Sequence, residues 1–300
     1  MKNPPMIAAV ACLVCFTAFG SVSARTWRVN QAGTGDAPTI QAAVDSSSAG
    51  DTILVAPGTY TQSTIDVGAR PGLTIVSEAG AEATALRSAS LYIMDLGGTY
   101  QVTVRGFLFE NCANGLLFNM THDCSIEESI FRHLTGRAMY GEQTSAIQIS
   151  NNLIYSNGQG IALGNQSHDI TLTRNTIAHH AGGEGFFCDG AGLYMYCNIV
   201  AFNGFGVDAF CNVYRCNDVF GNGTNYLMNP TGTNGNISLD PLFCGVSPGL
   251  SGNYYLQGSS PCAPGNVPAE CSCEAIGRNP VSCIVSIQKK SWGSIKEMYR

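Results

Sequence analysis

Six segments between residues 106 and 222 share one pattern of apolar and polar positions. Each has a short apolar strand, a polar residue, an aliphatic residue about two positions later, and Asn or His five positions after the polar one. The first polar column reads Gly106, Glu128, Asn152, Asn175, Asn198 and Asn217. The second reads Asn111, His133, Asn157, His180, Asn203 and Asn222, and the aliphatic column reads Leu108, Ile130, Ile154, Ile177, Val200 and Val219. Successive members of the polar columns lie 22, 24, 23, 23 and 19 residues apart. The triplets Ile147-Gln148-Ile149, Ile170-Thr171-Leu172 and Leu193-Tyr194-Met195 alternate with the period of a strand that has one buried and one wet face. Asn157-Gly158-Gln159-Gly160 and Asn203-Gly204-Phe205-Gly206 mark sharp corners, since Asn and Gly tolerate positive φ. Helical repeats would need longer glycine-free amphipathic runs, and leucine-rich repeats a leucine ladder.

The pattern predicts an all-β chain: a single-stranded right-handed parallel β-helix, each turn pairing with the next at about 4.8 Å. The aliphatic column then stacks inside. Asn152, Asn175, Asn198 and Asn217, with Asn157, Asn203 and Asn222, are expected to form structural ladders at the corners, each amide bonding the next. His133 and His180 read as polar substitutes for Asn rather than as bases. Cys188 and Cys211 both fall thirteen positions after their Asn, and Cys197 and Cys216 both fall one before theirs. Equal positions on adjacent turns suit a disulfide, which tolerates Cα separations of about 4.4–6.8 Å. Bridges Cys188–Cys211 and Cys197–Cys216 are therefore expected, with stacked free thiols as the alternative.

The two ends read differently from the middle. Lys2, the apolar run Ile7 to Phe19 and the small residues Val22-Ser23-Ala24 form an export signal, too short for a transmembrane span. Cys12 and Cys15 leave with it, an odd number of cysteines remains, and the oxidising compartment favours pairing. Ile40, Ala43 and Val44 share one face of a short helix capped by Thr39, laid over the first turn. Pro38-Thr39-Ile40-Gln41, Ala49-Gly50-Asp51-Thr52-Ile53-Leu54-Val55-Ala56-Pro57-Gly58-Thr59-Tyr60 and the closing Asn236-Ile237-Ser238-Leu239-Asp240-Pro241-Leu242-Phe243 resemble secreted bacterial right-handed parallel β-helix repeat proteins of the pectin-lyase-like superfamily. The expected division is a signal at 1–24, an N-terminal cap and first turn at 25–60, repeats at 61–243, a Cys-rich C-terminal cap at 244–283 and a basic tail or linker at 284–300. The pairing of Cys244, Cys262, Cys271, Cys273 and Cys283 stays open at this stage.

Composition narrows the function. Lys and Arg number 15 against 21 Asp and Glu, which excludes a basic nucleic-acid binder. The resemblance implies an exported, secreted or cell-surface monomer that binds polysaccharide, with a polysaccharide lyase or glycoside hydrolase acting on a polyuronate, or an inert adhesin-like stalk, as alternatives. No cofactor is expected; Ca²⁺ would enter only with lyase chemistry. Between Lys2 and Lys289 there is no lysine, and the paired-carboxylate motifs of polygalacturonases are missing. Arg174, Asp189, Asp208 and Arg215 are the candidate catalytic residues if there is turnover, with His179 and His180 nearby in sequence. Tyr155, Tyr194, Tyr196, Phe202 and Phe205 offer ring faces for sugars if they point outward.

Overall fold

A computed structural model describes residues 23–68, 70–180, 182–210, 212–245 and 253–283. The export signal lies almost wholly outside the described residues, and so do Cys211 and the basic tail.

Three parallel sheets make the body. The first has nine strands, from Thr26–Val29 to Val213–Arg215. The second has eight, from Gly58–Thr61 to Asp218–Phe220, and the third eight, from Ile65–Asp66 to Thr224–Tyr226. Neighbouring strands in each sheet come from successive turns of the chain, so the fold is a right-handed parallel β-helix. The one helix among the described residues is Ile40–Ser46, and Thr39 Oγ1 accepts from the Ala42 N–H at 3.0 Å. Its Ile40, Ala43 and Val44 are buried against the first turn.

Each sheet sends one file of apolar side chains inward. In the first sheet these are Ile53, Ile75, Val104, Ile126, Ile149, Leu172 and Met195. In the third they are Ile65, Met94, Leu116, Met139, Ile161, Phe186 and Val207. The second sheet contributes Leu86, Phe109, Phe131, Ile154, Ile177, Val200 and Val219. This corrects the aliphatic column in its first two repeats. Leu108 pairs with Ile130, and Ile130 with Leu153 rather than with Ile154, so both belong to the opposite face.

The reason lies at the corner. Gly106, Glu128, Asn151, Arg174, Cys197 and Cys216 all have positive φ, one left-handed residue per turn. The ladder residue follows it. Gly106 and Glu128 are thus corner residues, and the ladder positions of those turns are Phe107 and Ser129. Ser129 N–H donates to Asn152 Oδ1 at 3.0 Å, and Phe107 N–H to Ser129 Oγ at 3.2 Å. The second column shifts likewise. Asn111 and His133 have left-handed φ, and Leu134 N–H donates to Asn157.

From Asn152 onward the ladder is continuous. Asn152 Nδ2 donates to Asn175, Asn175 to Asn198, Asn198 to Asn217 and Asn217 to Asn236, at 3.0–3.1 Å. Each amide also donates to a carbonyl of the preceding turn, as Asn198 does to Leu172 at 2.9 Å. At the other corner Asn157 N–H donates to His180 Nδ1, His180 N–H to Asn203, and Asn203 Nδ2 to Asn222. Apart from half-buried Asn222 these amides are buried with their polar atoms paired, and stranding one costs about 1–3 kcal/mol. Burial lowers the His180 pKa to about 3, so its ring is neutral.

The disulfides depart from expectation. Cys197 bonds Cys273 and Cys216 bonds Cys271, while Cys244 bonds Cys283. Cys197 and Cys216 do occupy one corner file on adjacent turns, but both reach out to the C-terminal segment instead of to each other. Cys188 is a buried free thiol whose register partner is Ala209. The third sheet does not keep the corner spacing: Phe186 follows its partner Ile161 by 25 residues and precedes Val207 by 21. Equal distance from the ladder therefore does not mean equal height at Cys188.

Residues 236–245 and 253–283 lie over the outer face of the second sheet. There Leu108, Ile130, Leu153, Tyr155, Ala178, Ile199 and Ala201 form a second core with Phe243, Tyr254, Leu256, Cys262 and Ile276. The Tyr254 ring packs tilted against Tyr155 with centroids 4.6 Å apart, and its hydroxyl lies 3.0 Å from His179 Nδ1. Arg278 Nε donates to the Asn151 carbonyl at 2.9 Å, and Cys262 Sγ donates to buried Asp218 at 3.1 Å.

Candidate functional site

The third sheet leaves its outer face open. Along the coil axis one file there reads Asp66, Asp95, Leu117, Tyr140, Ala162, Phe187 and Asp208. A neighbouring file pairs Glu142 with Gly164. The strands Arg137–Glu142, Gln159–Gly164 and Glu184–Cys188 carry a cleft of about 310 Å³ lined by Arg137, Tyr140, Glu142, Gln159, Glu184 and Asp189, with Phe187 and Asn165 beside them. Ala162 and Gly164 also line it, and the single methyl of one and the missing side chain of the other leave room for the depression.

Hydrogen bonds order the walls. The Arg137 guanidinium lies over the Tyr140 ring at 4.7 Å and donates to Gln159 Oε1 at 2.7 Å. Gln159 in turn donates to Glu184, and the Tyr140 hydroxyl donates to Glu142. The bond from Tyr140, with a second from Asn165, holds Glu142 below the usual carboxylate range, while the same bond pushes the Tyr140 hydroxyl up. Further along the face, desolvation raises Asp95, and nearby Asp66 adds to it. Glu142 is thus an acceptor, not a proton donor. Acceptor oxygens, an arginine and two ring faces on one open surface are the groups that bind sugar hydroxyls and pyranose faces.

The structure separates the four candidate residues. Asp189 lines the cleft, and Asp208 sits one turn on, opposite Phe187. Arg174 and Arg215 lie at the corner between the first and second sheets, and Arg215 donates to the Glu270 carbonyl. His180 is closed inside the ladder, and His179 is under the cap. Tyr155, expected among outward aromatics, is buried beneath Tyr254, whereas Tyr194 and Tyr196 do stand half-exposed on the first sheet. Sequence reasoning missed Arg137, Tyr140, Glu142, Gln159, Glu184 and Phe187. Their signal was the register of the third strand in each turn, where Arg137, Tyr140 and Glu142 are half-exposed and Met139 is buried.

The three-sheet coil with amide ladders at its corners is a right-handed parallel β-helix. The chain belongs to the NosD family, described as periplasmic copper-binding protein, whose model matches residues 35–256. Among solved structures it is similar to the mannuronan C-5 epimerase AlgE6 A-module of Azotobacter vinelandii, at 18% identity and a TM-score of 0.46 over 61% of this chain and 66% of that one. The chain thus spans just under two thirds of that module. It is also similar to an alginate lyase from Paenibacillus sp. str. FPU-7, at 12% identity and a TM-score of 0.45 over 65% of this chain and 87% of that one. Pectate lyase Pel9A aligns over 87% of this chain and 98% of its own, at 14% identity and a TM-score of 0.29. No curated protein matches the chain. The family is periplasmic, in keeping with an exported protein, and no helix among the described residues is long and apolar enough to cross a membrane.

Proposed function

We propose that this exported β-helix binds a neutral polysaccharide strand along the outer face of its third sheet and does not cleave it. The observation that carries the reading is the cleft, where Tyr140 and Phe187 stand with Ala162 and Gly164 between hydrogen-bonding walls. Asp66, Asp95, Glu142, Glu184, Asp189 and Asp208 share that face, a field that disfavours a polyanion. Among the described lining residues Arg137 is the cation, and it is engaged by Gln159 and the Tyr140 ring. Neutral sugars meet no such repulsion, and ionised carboxylates are strong acceptors for their hydroxyls.

The test is a glycan array with and without Ca²⁺, alongside absorbance at 235 nm on polyuronates. Retention of neutral glycans, weakened at least tenfold by Tyr140→Ala with Phe187→Ala, is the expected result. Unsaturated product would make the protein a lyase, and binding confined to polyuronates would reverse the charge argument. Silence on every glycan would leave the stalk reading.

A further inference from the structure

Where the cover stops, a second cavity opens away from the cleft. Along the outer face of the second sheet one file reads Glu110, Arg132, Tyr155, Ala178 and Ala201. The cover rests on its aromatic and small members, and a cavity of about 400 Å³ lies at the boundary with the charged ones. Ile130 and Leu153 line it with Tyr155 and Tyr254, all four buried. Arg132 and Arg278 bring two guanidinium groups, and Glu82, Asn253, Tyr255 and Asn279 complete the lining. The residue before Arg278 sets it in place. Gly277 has a φ of +87°, and a Cβ built on it would lie 2.6 Å from Ile199 Cδ1 and 2.9 Å from Thr176 Oγ1. Only glycine lets the chain press this close to the coil before Arg278 crosses the corner. Arg278 Nε then donates to the Asn151 carbonyl at 2.9 Å, and Nη2 to the Glu128 carbonyl at 3.5 Å.

Neither arginine is neutralised. Arg132 shares Glu110 with Arg87, a cluster of two cations and one anion, and its Nη1 donates to the Tyr155 hydroxyl at 3.2 Å. Arg278 leans on carbonyls alone. Among the described residues no carboxylate lies within 4.0 Å of it, and Glu82 and Glu128 act on it only from further away. Burial lowers its pKa, yet an arginine keeps its charge, so a half-buried cation is left without a counter-ion. Arg132 Nη2 and Arg278 Nη1 have no protein partner among the described residues. The same holds for the Asn279 amide and for Asn253 Nδ2, while Asn253 Oδ1 accepts from the Tyr255 N–H.

We propose that this cavity is a second binding site, for a small hydroxylated carboxylate. The carboxylate sits against Arg278, with Arg132 lining the same cavity, and its charge-assisted bonds supply the missing counter-ion. The free amides of Asn253 and Asn279 serve the ligand's hydroxyl groups, and Ile130 and Leu153 lie beneath its carbon chain. The chain carries 21 acidic residues against 15 basic ones, so the cavity reverses the sign of the surface around it. The cleft on the third sheet, with its acidic walls, has the opposite character.

The test is isothermal titration calorimetry of the full chain at low salt with three probes. D-Gluconate carries both the carboxylate and the hydroxyls, sorbitol the hydroxyls alone, and hexanoate the carboxylate alone. Gluconate should bind saturably, one per chain and at least tenfold more tightly than hexanoate, and sorbitol should give no binding heat. Arg278→Gln should abolish gluconate binding with the circular dichroism of the coil retained. Asn279→Asp covers the case in which that variant does not fold. It breaks no side-chain bond among the described residues, and an acid placed there should weaken gluconate at least tenfold. Tyr140→Ala with Phe187→Ala should bind gluconate as the unaltered chain does. An absence of saturable gluconate binding would overturn the inference, as would sorbitol or hexanoate bound as tightly. So would unweakened binding by Arg278→Gln or Asn279→Asp, or loss of gluconate in the cleft variant, which would assign the ligand to the third sheet. A result on neutral glycans bears on the cleft alone and leaves this outcome unchanged.

Discussion

On the outer face of the second sheet stand Leu108, Ile130, Leu153 and Ile199, all buried. On the outer face of the third, one strand further along each turn, stand Asp95, Tyr140, Phe187 and Asp208. Both faces are laid down by the same repeat with the same corner chemistry, so the ladder cannot be what distinguishes them. The second sheet is largely apolar on both sides in its later turns, beyond the Arg87–Glu110–Arg132 cluster of its earlier ones. Leu153–Tyr155, Thr176–Ala178 and Ile199–Ala201 are buried at every position, the signature of strands packed front and back. Such a face demands a cover, and residues 236–245 and 253–283 supply it, held to the coil by two disulfides, Cys197–Cys273 and Cys216–Cys271, while Cys244–Cys283 closes the cover on itself. The third sheet alternates instead, and its outward residues are the ones that water or a ligand can satisfy. One coil thus divides its surface into a side that stabilises and a side that is free to bind.

The division breaks most severely from the inside. Ile177→Asp places an unpaired charge in the inward file of the second sheet, at a cost of several kcal/mol, and should prevent folding. A soluble variant with the native circular dichroism would contradict the register. Next is the cover. Tyr254→Ala deletes a ring that packs on Tyr155, Phe243 and His179, and should lower stability by about 3–5 kcal/mol in denaturant titration. A loss below about 1 kcal/mol would mean that the segment rests on its disulfides alone.

Acidity acts on the same contact. Burial raises the Asp218 pKa to about 6, above its unfolded value, so the carboxyl is held more readily in its protonated form when folded. Its contribution is fully present only below the unfolded value of 3.8 and is lost as pH rises from there through about 6, on the order of 2–3 kcal/mol. Asp218→Asn should flatten the stability profile across that window, and an unchanged slope would place the titrating group elsewhere. His180 works in the opposite sense: with its pKa lowered to about 3, stability falls as pH drops below 6.5. The smallest stability effect belongs to the open side. Phe187→Ala and Tyr140→Ala should each change stability by under about 1 kcal/mol while weakening glycan retention. Melting curves that drop as far as those of Tyr254→Ala would show the third sheet to be covered too.

Much of this was legible in the residues. The period, the ladder asparagines from Asn152 to Asn222 and the capping helix at Ile40–Ser46 follow from spacing, because stacked turns force equal residues to equal heights. Where the spacing changes, spacing alone fails. Gly106 and Glu128 mimic ladder positions because a left-handed corner also favours Gly and polar residues. Cys188 was misplaced because the third sheet shifts by two residues while the ladder does not. The pairing of Cys197 and Cys216 with Cys273 and Cys271 depends on how a loop-rich segment folds back, which no periodicity encodes. Asp189 and Asp208 were recognised as nearby acids, but Tyr140 and Glu142 emerge only once the third strand of each turn is set in register.

Hydrogen–deuterium exchange with a retained oligosaccharide tests the division of faces most directly. Binding on the third sheet should slow exchange in residues 137–142, 159–165 and 184–189 and leave the strands of the second sheet unchanged. Protection confined to the second sheet and residues 236–245 and 253–283, with the cleft strands unaffected, would contradict the account.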